Sequence, residues 1–248
     1  MKQGIFSILG TIYFASAKNT FYYVGNNSLM IKPFTFFIAL SYSTILIPIG
    51  LIFSMFIIFD WLSKITDAIR NFFLNIIDKQ SWSIDNSFLS FLIRPIILVI
   101  LIPLFILSIF IPRLSTNYIV HDVSIMLSAT GTFKQINIII YRAANKLFVY
   151  ISAAPLLMKP FLAIIGIIYS IILIIFGTLF IFLIPLDWIS KGIEGIRIYI
   201  TNFISKLQYN IKYKVRAFLF TPIILTLFFP IILCILIIPK FTTNIITE

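Results

Sequence analysis

The sequence predicts an all-α integral membrane protein built by tandem duplication, each repeat holding two long hydrophobic helices, transmembrane or re-entrant, joined by an amphipathic interfacial helix. Three observations carry this expectation: an apolar composition, four long apolar runs, and one charged phrase that occurs twice. Hydrophobic residues make up 60% of the 248-residue chain, charged residues only 11%, and the mean hydropathy is +1.09. Soluble domains carry about 25% charged residues, so a water-exposed globular fold is excluded by composition. The runs cover residues 33–59, 91–112, 160–186 and 217–239, and Arg94 is the only charged residue inside them. Each is long enough for a helix to cross a hydrocarbon core about 30 Å thick, which takes about 20 apolar residues.

The phrase is DWLSKITDAIR at residues 60–70 and DWISKGIEGIR at 187–197. At the constant offset of 127 residues that carries Asp60 to Asp187, Lys32-Pro33-Phe34 meets Lys159-Pro160-Phe161, Tyr42-Ser43 meets Tyr169-Ser170, and Gly50 meets Gly177. Pro95, Pro103 and Pro112 meet Pro222, Pro230 and Pro239, and about a third of positions 32–117 are identical without a gap. Chance likeness between isoleucine-rich segments does not align Trp, Gly, four Pro and several charges together, so the chain reads as a duplication. The expected organisation is repeat 1 over 1–117, a linker over 118–132 and repeat 2 over 133–248.

Each repeat opens on an expected interfacial segment, 5–23 and 133–151. Ile12-Tyr13 resembles Ile140-Tyr141 if one residue is inserted. The N-terminal stretch carries Lys2 and Ala15-Ser16-Ala17 in the manner of a secretory signal, but Ser7, Gly10 and Thr11 break its apolar core, so it is read as part of the mature chain. The first apolar run follows, and then the charged phrase. On a helix, Asp60, Lys64, Asp67 and Arg70 share one stripe with alternating sign, while Trp61, Leu62, Ile65, Ile69, Phe72, Phe73 and Ile76 share the opposite side. In the second copy the stripe is Asp187, Lys191, Glu194 and Arg197, opposed by Trp188, Ile189, Ile193, Ile196, Tyr199, Ile200 and Phe203. Such a helix suits the bilayer interface, apolar face among acyl chains and charged back toward water. Surface ion pairs on that back contribute only about 0.3–0.5 kcal/mol each, so burial of the apolar face is expected to dominate.

The last run of each repeat is marked by proline every eight or nine residues. The reading is a kinked transmembrane helix whose neighbours satisfy the freed carbonyls, with a broken re-entrant hairpin as the alternative. If all four runs cross, Lys and Arg divide about nine to ten between the two sides. The positive-inside rule then gives only a weak orientation. Two crossings per repeat place the copies parallel, related by an axis along the membrane normal.

Chemistry is scarce. His121-Asp122 stands alone in the linker, Cys234 has no partner cysteine, and no phosphate loop, nucleophile elbow or CxxC is present. No catalytic, cofactor or metal residue is assigned, and an enzyme is not expected. The net charge of +11 points to anionic lipid rather than nucleic acid, with Lys206, Lys212, Lys214 and Arg216 as the densest basic cluster. The first repeat carries Lys79, Asp85, Ser87 and Leu89 there, so the halves have diverged. The leading functional expectation is a non-enzymatic integral membrane protein that organises or shapes the bilayer, or scaffolds protein subunits or copies of itself. The alternative is a pore or transporter between the repeats, with Gly50 and Gly177 as close-packing or gating points.

Overall fold

The structure, a computed structural model, describes residues 4–111, 113–114, 130–242 and 244–245. His121-Asp122, Pro112 and nearly all of the 118–132 linker lie outside them. Seven helices carry the described chain: α1 (Ile5–Gly25), α2 (Lys32–Met55), α3 (Ile57–Trp82), α4 (Phe88–Ile109), α5 (Thr132–Ala153), α6 (Lys159–Asn210) and α7 (Val215–Ile237). Strands β1 (Thr130–Gly131) and β2 (Asn244–Ile245) form one short antiparallel pair. By length and composition four stretches can cross a membrane: Lys32–Trp82, Phe88–Ile109, Lys159–Asn210 and Val215–Ile237.

Two features depart from the sequence expectation. First, in the second half the amphipathic phrase is not a separate helix. In the second half it lies inside α6, 52 residues without interruption, and in the first half only Phe56 separates α2 from α3. In the second half no turn residues stand between apolar run and charged phrase, so the hydrogen-bond ladder runs on. Pro185 inside α6 costs one donor without ending the helix. Second, α1 and α5, expected as interfacial segments, pack along the apolar helices. Phe6 packs on Phe56 and Phe59, Tyr13 on Phe53, and Phe21 on Phe36, so α1 runs antiparallel along α2. Phe133 meets Phe180 and Ile151 reaches Gly166, giving the same arrangement of α5 along α6. The prolines stay within continuous helices, Pro95 and Pro103 in α4, Pro222 and Pro230 in α7. The unbroken form is therefore the one seen.

The chain folds into two compact units, and these are not the two sequence halves. The first gathers α1, α2, the start of α3 as far as Lys64, α6 from Ile193 and α7. Its core joins Leu9, Tyr13, Leu46 and Phe53 to Ile204, Leu225 and Ile232. The second gathers α3 from Ile65, α4, α5 and α6 as far as Gly192. Its core joins Ile77, Phe91, Leu98 and Phe105 to Ile136, Leu147, Leu173 and Phe180. Each unit thus combines the leading helices of one half with the trailing helices of the other.

The same contacts recur in both units at the 127-residue offset. Tyr23 stacks on Phe218 with ring centroids 4.5 Å apart, and Tyr150 stacks on Phe91 at 4.8 Å. Tyr42 donates its hydroxyl to the Leu219 carbonyl at 2.8 Å, and Tyr169 donates to the Leu92 carbonyl at 3.2 Å.

Candidate functional site

A helix that begins without a side-chain cap leaves its first N–H groups unsatisfied, and inside an apolar unit each is costly. Gly4 stands just before α1 and Gly131 just before α5, both extended and neither able to cap with a side chain. The missing acceptor comes from the charged phrase. Asp60 accepts from the Phe6 amide at 3.3 Å and the Ser7 amide at 3.0 Å. Asp187 accepts from Phe133 at 3.4 Å and Lys134 at 3.1 Å. Both aspartates are 2% exposed. A carboxylate at this end also meets the positive pole of the helix dipole.

The glycines explain how the carboxylates come so close. A Cβ on Gly4 would lie 2.0 Å from the Asp60 carboxyl carbon, and one on Gly131 would lie 2.2 Å from that of Asp187. No residue with a side chain fits at either position while its aspartate stays in place.

The phrase closes with an arginine that serves the opposite kind of helix end. Arg70 donates from Nε to the Ser108 carbonyl and from Nη2 to that of Ile109, both at 3.1 Å, and also to the Ile111 carbonyl. Arg197 donates from Nε to Ile235 at 3.2 Å and from Nη2 to Ile235 at 3.0 Å, and reaches the Leu236 and Ile238 carbonyls too. These carbonyls close α4 and α7, where the dipole is negative and orphan acceptors gather. A planar guanidinium with several donors can serve them together, whereas an ammonium acts from one point. The opening and closing residues of one phrase therefore fix the start of one helix and the end of another.

The rest of the phrase shows which way it faces. Glu194 is buried, and Lys64, Asp67 and Lys191 are half-buried. Trp61 is 65% exposed and Trp188 70%, and Leu62, Ile65, Ile69, Phe72, Ile189, Ile196, Tyr199 and Phe203 are exposed with them. The expectation of a charged back solvated by weak surface pairs is corrected here. Asp60, Arg70, Asp187 and Arg197 turn inward because each has buried backbone groups to satisfy, and the apolar residues form the outer surface. The basic cluster lies at the α6–α7 turn, with Lys206, Lys214 and Arg216 exposed and Lys212 half-buried, its Nζ 5.2 Å from the Tyr22 ring centroid.

Gly50 and Gly177 are packing positions. An added Cβ would approach Phe14 of α1 and Tyr141 of α5, respectively, to 3.3 Å. The one-residue insertion near Ile140 is not needed: Gly4 with Gly131, Phe6 with Phe133 and Tyr23 with Tyr150 keep the offset unbroken. These pairs are the signal in the sequence that would have revealed the helix starts. Among the described residues no three His, Cys, Asp or Glu side chains gather to hold a metal. No protein-family model matches the chain, and neither does any curated protein or solved structure.

Proposed function

We propose that the chain is a duplicated integral membrane protein that organises the lipid around it without catalysing a reaction. The observation that carries this is the inverted polarity of the repeated phrase, with Asp60, Arg70, Asp187 and Arg197 buried and both tryptophans outward. In water such a helix would expose its greasy side and bury its charges, a costly arrangement. In lipid it is the expected one, because ionisable groups must find internal partners and apolar side chains meet acyl chains at no cost.

The two helix-joining tips add to this reading. Leu29-Met30-Ile31 before Lys32 and Leu156-Leu157-Met158 before Lys159 are exposed, Leu157 by 94%. Apolar tips followed by lysine suit insertion among headgroups with the ammonium at the surface. Lys206, Lys214 and Arg216 are placed to draw anionic lipid, each cation contributing about 1 kcal/mol near such a surface. The pore reading drew on Gly50 and Gly177, which instead seat aromatic rings of α1 and α5.

Reconstitution into vesicles of mixed neutral and anionic phospholipid tests this reading. The protein is expected to change vesicle diameter and acyl-chain order, and replacing Lys206, Lys214 and Arg216 with Gln is expected to reduce the effect on anionic vesicles only. Vesicles unchanged in shape and order at high protein density would sink the proposal. Solute flux that responds to bulky residues at Gly50 or Gly177 would favour the pore.

A further inference from the structure

The second unit holds a cavity of about 420 Å³, lined among others by Asp85, Phe88, Val149, Tyr150, Ala154 and Met158. Small-ligand sites span about 300–1,000 Å³, so the space is adequate. It lies where α4 starts at Phe88 and α6 starts at Lys159, and both helices are candidate spans. A bilayer crossed by them puts this cavity at headgroup depth.

Its lining holds one carboxylate, Asp85, and the charged groups that follow stand beside the cavity rather than in its wall. Asp85 Oδ2 accepts from Lys146 Nζ at 2.7 Å, whereas Oδ1 is buried and meets no donor among the described residues. Buried carboxylate oxygens are rarely left so, and a small turn of the carboxylate would offer it to a donor in the cavity. Beside it, Arg142 pairs with Asp78 at 3.0 Å, and Arg142 and Lys146 stand 4.6 and 5.1 Å from the centroid of the Trp82 ring. Two carboxylates and two cations sum to zero charge.

The other half lacks these features at the matching positions. At the 127-residue offset Val149, Ala154 and Asp85 correspond to Tyr22, Asn27 and Lys212, larger in two cases and opposite in charge in the third. The divergence of the basic cluster between the halves thus falls at the cavity.

We propose that this cavity binds the headgroup and first acyl carbons of a zwitterionic phospholipid with a primary amine, an ethanolamine phospholipid. Its ammonium donates to Asp85 and its chain lies along Val149 and Met158, while Lys146, held beside the cavity by its ion pair with Asp85, is the nearest cation for its phosphate. A choline headgroup has no N–H to donate and is disfavoured. This rests on the membrane reading above.

The test uses the full chain with Trp61→Phe and Trp188→Phe, so that Trp82 alone reports, in phosphatidylcholine vesicles. Brominated-acyl phosphatidylethanolamine or brominated-acyl phosphatidylcholine is added in increasing fraction. Quenching of Trp82 is expected to saturate at low fraction with the ethanolamine lipid only. Asp85→Asn is expected to shift half-saturation about tenfold, equivalent to ~1.4 kcal/mol. Ala154→Leu, which fills the cavity, is expected to abolish the saturable phase, and Val149→Tyr serves as a second filling variant should the first fail to fold. Equal, unsaturating quenching by both lipids would overturn the site while leaving the membrane reading intact, and so would a saturable phase indifferent to all three variants. No quenching by either lipid would overturn both.

Discussion

Substituting Asp60 by glycine, alone and together with Gly4→Ala, isolates the contact on which the first helix start depends. In the wild type, a Cβ on Gly4 would sit 2.0 Å from the Asp60 carboxyl carbon and 2.4 Å from its Cβ, well inside van der Waals contact. The carboxylate would be driven off the Phe6 and Ser7 amides, leaving two N–H groups short of their acceptor. An unsatisfied buried donor costs about 1–3 kcal/mol and a lost N-cap about 0.5–2, so Gly4→Ala is expected to cost ~2–4 kcal/mol. Asp60→Gly removes the same hydrogen bonds and adds about 1 kcal/mol for glycine inside a helix. In that background no carboxyl remains to strike, and adding Gly4→Ala is expected to cost less than about 0.5 kcal/mol. Equilibrium unfolding in mixed micelles, followed by circular dichroism, measures all four corners of the cycle. Gly131 and Asp187 give a parallel cycle, with a 2.2 Å approach in place of 2.0 Å. Equal costs for Gly4→Ala in both backgrounds would refute the capping geometry.

Other outcomes follow from the same contacts. Arg70→Lys leaves one ammonium to serve carbonyls that the guanidinium reaches from two nitrogens, and is expected to cost ~1–2 kcal/mol in the same unfolding assay, with Arg197→Lys alike. Tyr42→Phe and Tyr169→Phe each remove one hydroxyl bond to a carbonyl, and each should cost ~0.5–1.5 kcal/mol; because the two bonds lie in different units, their effects should add. Ile196→Asp puts a charge on an outward residue; if acyl chains cover it, the penalty is up to ~2.5–3.5 kcal/mol, and the yield of membrane-inserted protein should fall. An unchanged yield would mean that water meets this face.

The helical class, the four long apolar stretches and the position of the repeated phrase were legible because they depend on local composition and spacing. The facing of the phrase was not. Spacing assigns Asp60 and Trp61 to opposite sides of a helix, but it does not say which side meets protein. That was settled by partners at a distance: the amides of Phe6 and Ser7, 54 and 53 residues before Asp60, and the carbonyls of Ser108 and Ile109, 38 and 39 residues after Arg70. The separation of the phrase from its span holds in the first half, where α3 starts after Phe56, but not in the second, where α6 runs through Asp187 without any residue that ends a helix. Which half completes which unit could not be read at all. Tyr42 and Tyr169 are the same residue in like surroundings, so Leu92 and Leu219 are chemically equivalent acceptors, and only the folded chain shows Tyr42 on Leu219. Similar repeats leave exchange of elements nearly degenerate in energy, the condition under which swapping is cheap.

That the repeated phrase turns its charges to protein and its apolar side to lipid is tested most directly by spin-label accessibility in vesicles. With Cys234→Ser as background, single cysteines would replace Trp61, Ile65, Ile69 and Phe72, and Trp188, Ile189, Ile196 and Tyr199. The expected result is frequent collision with dissolved oxygen and little with a water-soluble nickel chelate at all eight positions. Chelate collisions that exceed oxygen collisions at these positions would contradict it.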